Sequence, residues 1–224
     1  MVFAGGVCAA CSSSGPTRRV APQQTSTTAD SGATPSTGNG PATTTASSCR
    51  PASATSGGGG SGGGGAKETN PPGDIPDNQA FVAYHSPGGE YTVKVPEGWA
   101  RTEQARSVSF TDKFNTVRVD LVDAAQAPSV SSDRAEELPK LAASEACFRA
   151  GGISTVTRNV GTGVVVTYQA DGPPDPVTGK VVREDVERYE FWHNGVEAVI
   201  TVSGAAGSDN VDPWRIVTDS FAWQ

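Results

Sequence analysis

The chain has 224 residues, with 17 basic side chains against 24 acidic ones and a formal net charge of −7. Such a balance repels phosphate backbones and anionic head groups, which argues against nucleic acid as a partner and against a basic membrane-binding face. No run of residues is long and apolar enough to cross a bilayer as a helix.

Residues 1–11 look like the tail of a lipoprotein signal segment, with the charged and apolar regions expected from an upstream start. Cys11 follows Ala9 and Ala10, the small residues that precede a lipidated cysteine; Cys8 stands where an aliphatic residue is the usual choice. Cys11 is therefore the expected lipidation site. A diacylated terminus would give stable anchoring, at about 0.8 kcal/mol per buried methylene.

Residues 12–77 read as a disordered linker of Ser, Thr, Gly and Pro, including Gly57 to Gly65 broken only by Ser61. Too little apolar surface is present to offset the entropy of ordering it. A flexible coil of this length spans on the order of 45 Å, enough to hold a domain clear of a bilayer. Before Asn78 the four basic and four acidic residues cancel, so the whole net charge belongs to residues 78–224. Those residues form one expected domain, which carries every Trp and Tyr.

Phe81 to His85 reads as a strand, followed by a Ser86-Pro-Gly-Gly turn. Tyr91, Val93 and Val95 alternate with Thr92 and Lys94 as a half-buried strand ending at Pro96. Val108 with Phe110, then Val117, Val119 and Leu121, continue the pattern, as do Val164 to Tyr168 and Val196 to Val202. Residues 181–193 form a further strand whose apolar phase slips near Val186, the mark of a bulge or a late start. A helix is expected from Ser131 to Ala150, with Pro139 kinking it or lying in its first turn and Gly151-Gly152 as its stop. A second helix starts at Asp212 as N-cap and Pro213 as first residue, with Trp214, Val217 and Phe221 on one face. Tightly turned strands with helices between and after them give an α+β class, an antiparallel sheet of about six to seven strands sandwiched by helices.

Tyr91-Thr-Val-Lys-Val-Pro-Glu-Gly-Trp99, Ser109-Phe-Thr-Asp112 and Trp214-x-x-Val-x-x-Ser-Phe221 resemble the strand and final-helix motifs of PsbP-like domains. The resemblance spans nearly all of residues 80–224. It implies an accessory or binding scaffold, as used in photosynthetic proteins and in bacterial envelope lipoproteins. The Gly/Thr/Pro-rich linker resembles the actinobacterial branch.

Chemistry is harder to find. His85 is expected at a turn in a surface or packing role, and His193 at a strand end in phase with Tyr189 and Phe191. Asp171, Asp175, Glu184 and Asp185 could gather around a hairpin, but they lack the spacing of a calcium loop. Ser107, Ser109 and Ser203 lack nucleophile-elbow glycines, and Gly161-Thr-Gly163 lacks the Gly-Lys-Ser/Thr of a phosphate loop. Glu136 and Glu137 point about 100° apart on a helix, as a solvated face would. Cys49 and Cys147 are expected as free thiols, the alternative being a bridge tying linker to domain. Trp99, Trp192, Trp214 and Trp223 are expected in the core or docking helices; an exposed pair beside Tyr84 or His85 would form a groove for glycan or peptide.

The expectation is thus a lipid-anchored binding or accessory protein at the extracytoplasmic face of the cell membrane. It has a protein or cell-wall component as partner, and no catalytic, metal or cofactor site. The alternative is an envelope hydrolase or metal-dependent enzyme whose site assembles from distant residues.

Overall fold

In a computed structural model that describes Cys49, residues 73–175 and residues 177–224, the alternating segments form ten strands. These are β1 (Phe81–His85), β2 (Tyr91–Pro96), β3 (Ala100–Gln104), β4 (Ser107–Asp112), β5 (Asn115–Asp123), β6 (Arg149–Arg158), β7 (Gly161–Asp171), β8 (Arg183–His193), β9 (Val196–Ala205) and β10 (Ala222–Trp223). They build two antiparallel sheets, one of seven strands in the order β3-β4-β5-β9-β8-β7-β6 and one of three in the order β1-β2-β10. The α+β class holds. The small second sheet is the addition.

The main core lies between the two sheets. Val93 and Val95 of β2 meet Val117 and Val119 of β5, Phe191 of β8 and Ile200 of β9, closed by Trp214 and Val217 of a helix, α3 (Val211–Ser220). A second apolar cluster covers the opposite face of the seven-stranded sheet, where Leu141 packs with Val164, Val166, Tyr168 and Val186. Two buried faces explain the phase slip in β8. Tyr189 and Phe191 point into the first core, whereas Val186 points into the second. The strand runs in unbroken register with β7 from Arg183 to Glu190 and with β9 from Glu184 to His193, so it starts late and carries no bulge at Val186.

The first expected helix is shorter and interrupted. Ser129 and Ser132 form a reciprocal capping box ahead of α1 (Val130–Ser132). A π-helical turn follows (Asp133–Glu137), then α2 (Leu138–Ser144). Pro139 lies in the first turn of α2, where a missing N–H costs little. The wider π turn, with Leu138 N–H donating to Asp133 O, leads directly into that proline.

Chain direction then reverses at Cys147, which adopts a left-handed φ of 53°, and residues expected to end the helix instead enter β6. Gly151 and Gly152 occupy a register shift between Ala150 and Ile153. A Cβ on Gly151 would fall 2.6 Å from Thr167 O, so close backbone approach, not helix termination, requires the glycine. Strands β3 and β6 had no counterpart in the sequence reading. Four of the five residues of β3 are polar and all five are exposed, which leaves no apolar alternation to read.

Cys147 is joined to Cys49 by a disulfide across 98 residues of sequence, which corrects the expectation of free thiols. Packed residues also reach back to Gly73. Asn210 accepts from Ile75 N at 2.8 Å and donates to Gly73 O and to Asn115 Oδ1, each at 3.0 Å. Asn210 also precedes α3, but these long-range bonds occupy its side chain and it does not cap the helix. Asp212, the expected N-cap, lies instead in the first turn. Cys8, Cys11 and nearly all of the expected signal and linker segments lie outside the described residues.

Candidate functional site

Aromatic packing links the main core to the surface at one end of the molecule. Phe221 is 1 % exposed and stacks on Tyr91 at 5.3 Å and on Phe191 at 6.3 Å between ring centroids. Trp223 meets Phe221 edge-on at 5.2 Å, and His193 stacks on Trp223 at 5.7 Å. Five rings from β2, β8, the end of α3 and β10 thereby form one chain of contacts that opens into solvent at His193.

That exit is one end of an open trough of about 1120 Å³. Val160, Ile216, Phe221 and Trp223 supply apolar lining, with Lys94, Asp212, Arg215 and Asp219 as charges of both signs. Ile216 is 43 % exposed although it is one of the larger apolar residues of α3.

Hydrogen bonds fix the walls. Arg158 Nε donates to Thr218 Oγ1 at 3.0 Å, its Nη2 donates to Tyr189 Oη at 3.0 Å, and Asn159 Nδ2 donates to Asp219 O at 2.8 Å. The turn between β6 and β7 is thus tied to the last turn of α3. On the other side Lys94 N donates to Ser220 Oγ at 2.7 Å. β10 pairs with β2 along one edge only, so its other edge has no strand partner among the described residues. A preformed trough with an open strand edge and both charge signs is suited to holding an extended chain.

Other residues marked by the sequence go elsewhere. His85 is exposed on β1, and Tyr84 beside it is buried against Phe110. The exposed aromatic pair therefore forms around His193, not His85. Burial pushes the Tyr84 phenol up to about 12, helped by its hydrogen bond to Glu103. Trp192 donates its indole N–H to Ala124 O at 2.8 Å, Trp99 packs half-buried against the core, and Trp214 is buried.

The 171–185 carboxylates do not converge. Asp171 pairs with Arg183 at 3.0 Å, Asp175 accepts from the turn at Val177 and Thr178, and Asp185 accepts from Gln169 and Gly207. Burial raises the Glu184 carboxyl above the usual range, against the opposing influence of Ser203. Among the described residues no group of three or more His, Cys, Asp and Glu is placed to hold a metal ion. Ser107 and Ser109 lie half-buried on β4.

Glu137 departs from the expected solvated face. It accepts from Arg188 at 2.8 Å, and Arg188 Nε also donates to Glu190 Oε1 at 2.8 Å. Glu190 and Asp133, neither considered from sequence, are the buried members of this cluster. One sequence signal existed: Arg188 and Glu190, two residues apart, put opposite charges on the same face of β8.

No family model matches the chain, and no curated protein does. Solved structures similar to it include a Bacteroides thetaiotaomicron protein at 13 % identity and TM-score 0.43, covering 63 % of this chain; the chain spans under half of that protein, 48 %. Cyanobacterial PsbP (CyanoP) from Synechocystis is similar at 12 % identity and TM-score 0.45, over 68 % of this chain and 98 % of that one. LpqN of Mycobacterium tuberculosis, involved in cell envelope biogenesis, is similar at 11 % identity and TM-score 0.41, over 66 % and 92 %.

Proposed function

We propose that this chain is a binding or accessory module, lipid-anchored through Cys11 at the extracytoplasmic face of the cell membrane. Its partner is a protein that lays an extended segment in the trough between α3 and β10. The trough carries this reading: about 1120 Å³ is larger than a typical small-molecule pocket, and it has a fixed aromatic end and an open strand edge. Lys94 and Arg215 beside Asp212 and Asp219 suit a segment with both charge signs better than a polyanion. The Cys49–Cys147 disulfide supports the compartment, because such bridges persist where thiols are oxidised. The accessory role agrees with the resemblance to PsbP-like domains seen in the sequence.

The partner is tested with a photo-crosslinking amino acid at Ile216 in living cells, with Thr102 on the exposed face of β3 as the control position. One discrete protein adduct at 216, lost on Trp223→Ala, is expected. Equal adducts at both positions would sink the trough as the docking site. The anchor is tested separately by labelling cells with an alkyne fatty acid. Label on the wild type and none on Cys11→Ser is expected, with the variant released from the membrane fraction.

A further inference from the structure

The helical wall of the trough presents Asp212, Arg215, Ile216 and Asp219. Their spacing of i, i+3, i+4 and i+7 sets all four on one face of α3, while Trp214 and Val217 turn to the core. Two of these charges satisfy each other. Arg215 Nε lies 3.2 Å from one carboxylate oxygen of Asp219, and Arg158 Nε lies 3.5 Å from the other. Asp212 and Lys94 differ from them. Both are exposed charges of the trough lining, and neither forms an ion pair among the described residues.

These two charges stand at opposite ends of α3. Asp212 lies in its first turn, whereas Lys94 of β2 is held beside its last residue by the 2.7 Å bond from Lys94 N to Ser220 Oγ. The helical rise from Asp212 to Ser220 is about 12 Å. An extended chain advances about 3.3 Å per residue, so residues four apart span about 13 Å. Such residues point to the same side, as does the residue midway between them. Midway along the helix wall stands Ile216, four residues from Asp212 and four from Ser220, and 43 % exposed.

Resting on the reading of the trough as the seat of an extended protein segment, we propose that the segment is recognised by an acidic and a basic residue four positions apart, with an aliphatic residue midway. Its carboxylate meets Lys94, its aliphatic side chain covers Ile216, and its cation meets Asp212. Past Ser220 the wall continues into β10, whose open edge offers backbone hydrogen bonds that are blind to sequence. Selectivity is therefore carried by the side-chain contacts along α3. A uniformly acidic segment is repelled by Asp212 and a uniformly basic one by Lys94. Arg215 and Asp219 neutralise each other and add no further charge requirement.

The experiment is fluorescence anisotropy of labelled peptides with the full, disulfide-intact chain at low ionic strength, where exposed charges are least screened. The peptides carry Glu-Thr-Val-Thr-Lys, Lys-Thr-Val-Thr-Glu, or the same sequence with Glu at both ends or Lys at both ends, between Gly-Ser flanks. Saturable binding of at least one mixed-charge peptide is expected, and the order that binds tighter gives the direction of the segment. The like-charged peptides should bind roughly threefold to tenfold more weakly. Lys94→Glu should lose the same factor for the mixed peptide and bind the Lys/Lys peptide best; Asp212→Lys should bind the Glu/Glu peptide best. A variant that merely folds poorly would weaken every peptide and exchange no preference. The proposal is overturned if all four peptides bind the wild type alike, if none binds, or if neither charge reversal exchanges the preference. A crosslink at Ile216 together with peptides that bind alike retains the trough and removes only the charge pattern.

Discussion

His193 ends β8 and Trp223 ends β10, and their rings stack 5.7 Å apart at an interplanar angle of 28°. The pair joins the seven-stranded sheet to the three-stranded one at the mouth of the trough. Trp223→Ala should lower stability by about 1–2 kcal/mol, less than for a fully buried tryptophan. His193→Ala removes an exposed stacking partner and should cost roughly 0.5–1 kcal/mol. Urea denaturation of both single variants and the double variant checks this. Since the rings touch, the double variant should lose less than the sum of the two.

Glu190 sets a pH dependence of unusual sign. Burial raises its carboxyl to about 8, so the folded chain keeps a proton that the unfolded chain releases near the ordinary glutamate range. Between those two values the folded state binds more protons, and stability falls as pH rises. Asp133 and Glu197 are shifted in the same direction and add to the fall. Melting temperature should therefore decline from about pH 5 to pH 8.5. Glu190→Gln imitates the protonated acid and can still accept from Arg188, so its curve should be flatter and cross above the wild type near pH 8.5. A parallel curve for the variant would place the titration elsewhere.

Removing the Cys49–Cys147 bridge should lower stability by on the order of 2 kcal/mol, because a long loop is then free in the unfolded chain. Cys147→Ser and reduction of the wild type should give the same loss in chemical denaturation. Reduction of Cys147→Ser should add nothing further.

Asn210 holds three groups from distant parts of the chain, the backbones of Gly73 and Ile75 and the side chain of Asn115. Asn210→Ala leaves these polar groups unpaired in a buried setting and should cost about 2–3 kcal/mol. Hydrogen exchange at the Ile75 amide should accelerate more than exchange at Val119, which lies deep in the sheet.

Gly163 faces the backbone and ring of β8. A Cβ there would fall 2.7 Å from the Phe191 ring and closer still to Glu190 O. Gly163→Ala should destabilise by more than about 2 kcal/mol, measured by the same denaturation, because two hydrogen-bonded strands cannot move apart locally.

The legible part of the sequence was what depends on near neighbours. Alternation at Tyr91, Val93 and Val95 marked β2, because one face of that strand is buried and the other is not. The face of Trp214, Val217 and Phe221 marked α3 for the same reason. At Val186 alternation failed, because β8 is covered on both sides: Tyr189 and Phe191 on one face meet the first core, and Val186 on the other face meets the second. Gly151 and Gly152 read as a helix stop because glycine serves both helix ends and bulges; only the approach of Thr167 separates the two roles.

By itself the sequence determined the α+β class, the strand-and-helix order of most of residues 78–224 and a net charge unsuited to polyanions. Tertiary structure alone decided the sites. The His193–Trp223 trough draws on β2, the turn between β6 and β7, the end of β8, α3 and β10, and the Asp133–Glu190 cluster on a π turn and a strand. Their residues lie up to 129 positions apart, from Lys94 to Trp223, so no local spacing encodes them. Periodicity reports which face of an element is buried; it does not report which element covers that face. Pairing of distant strands decides that, and with it whether a carboxylate such as Glu190 meets water or a buried arginine.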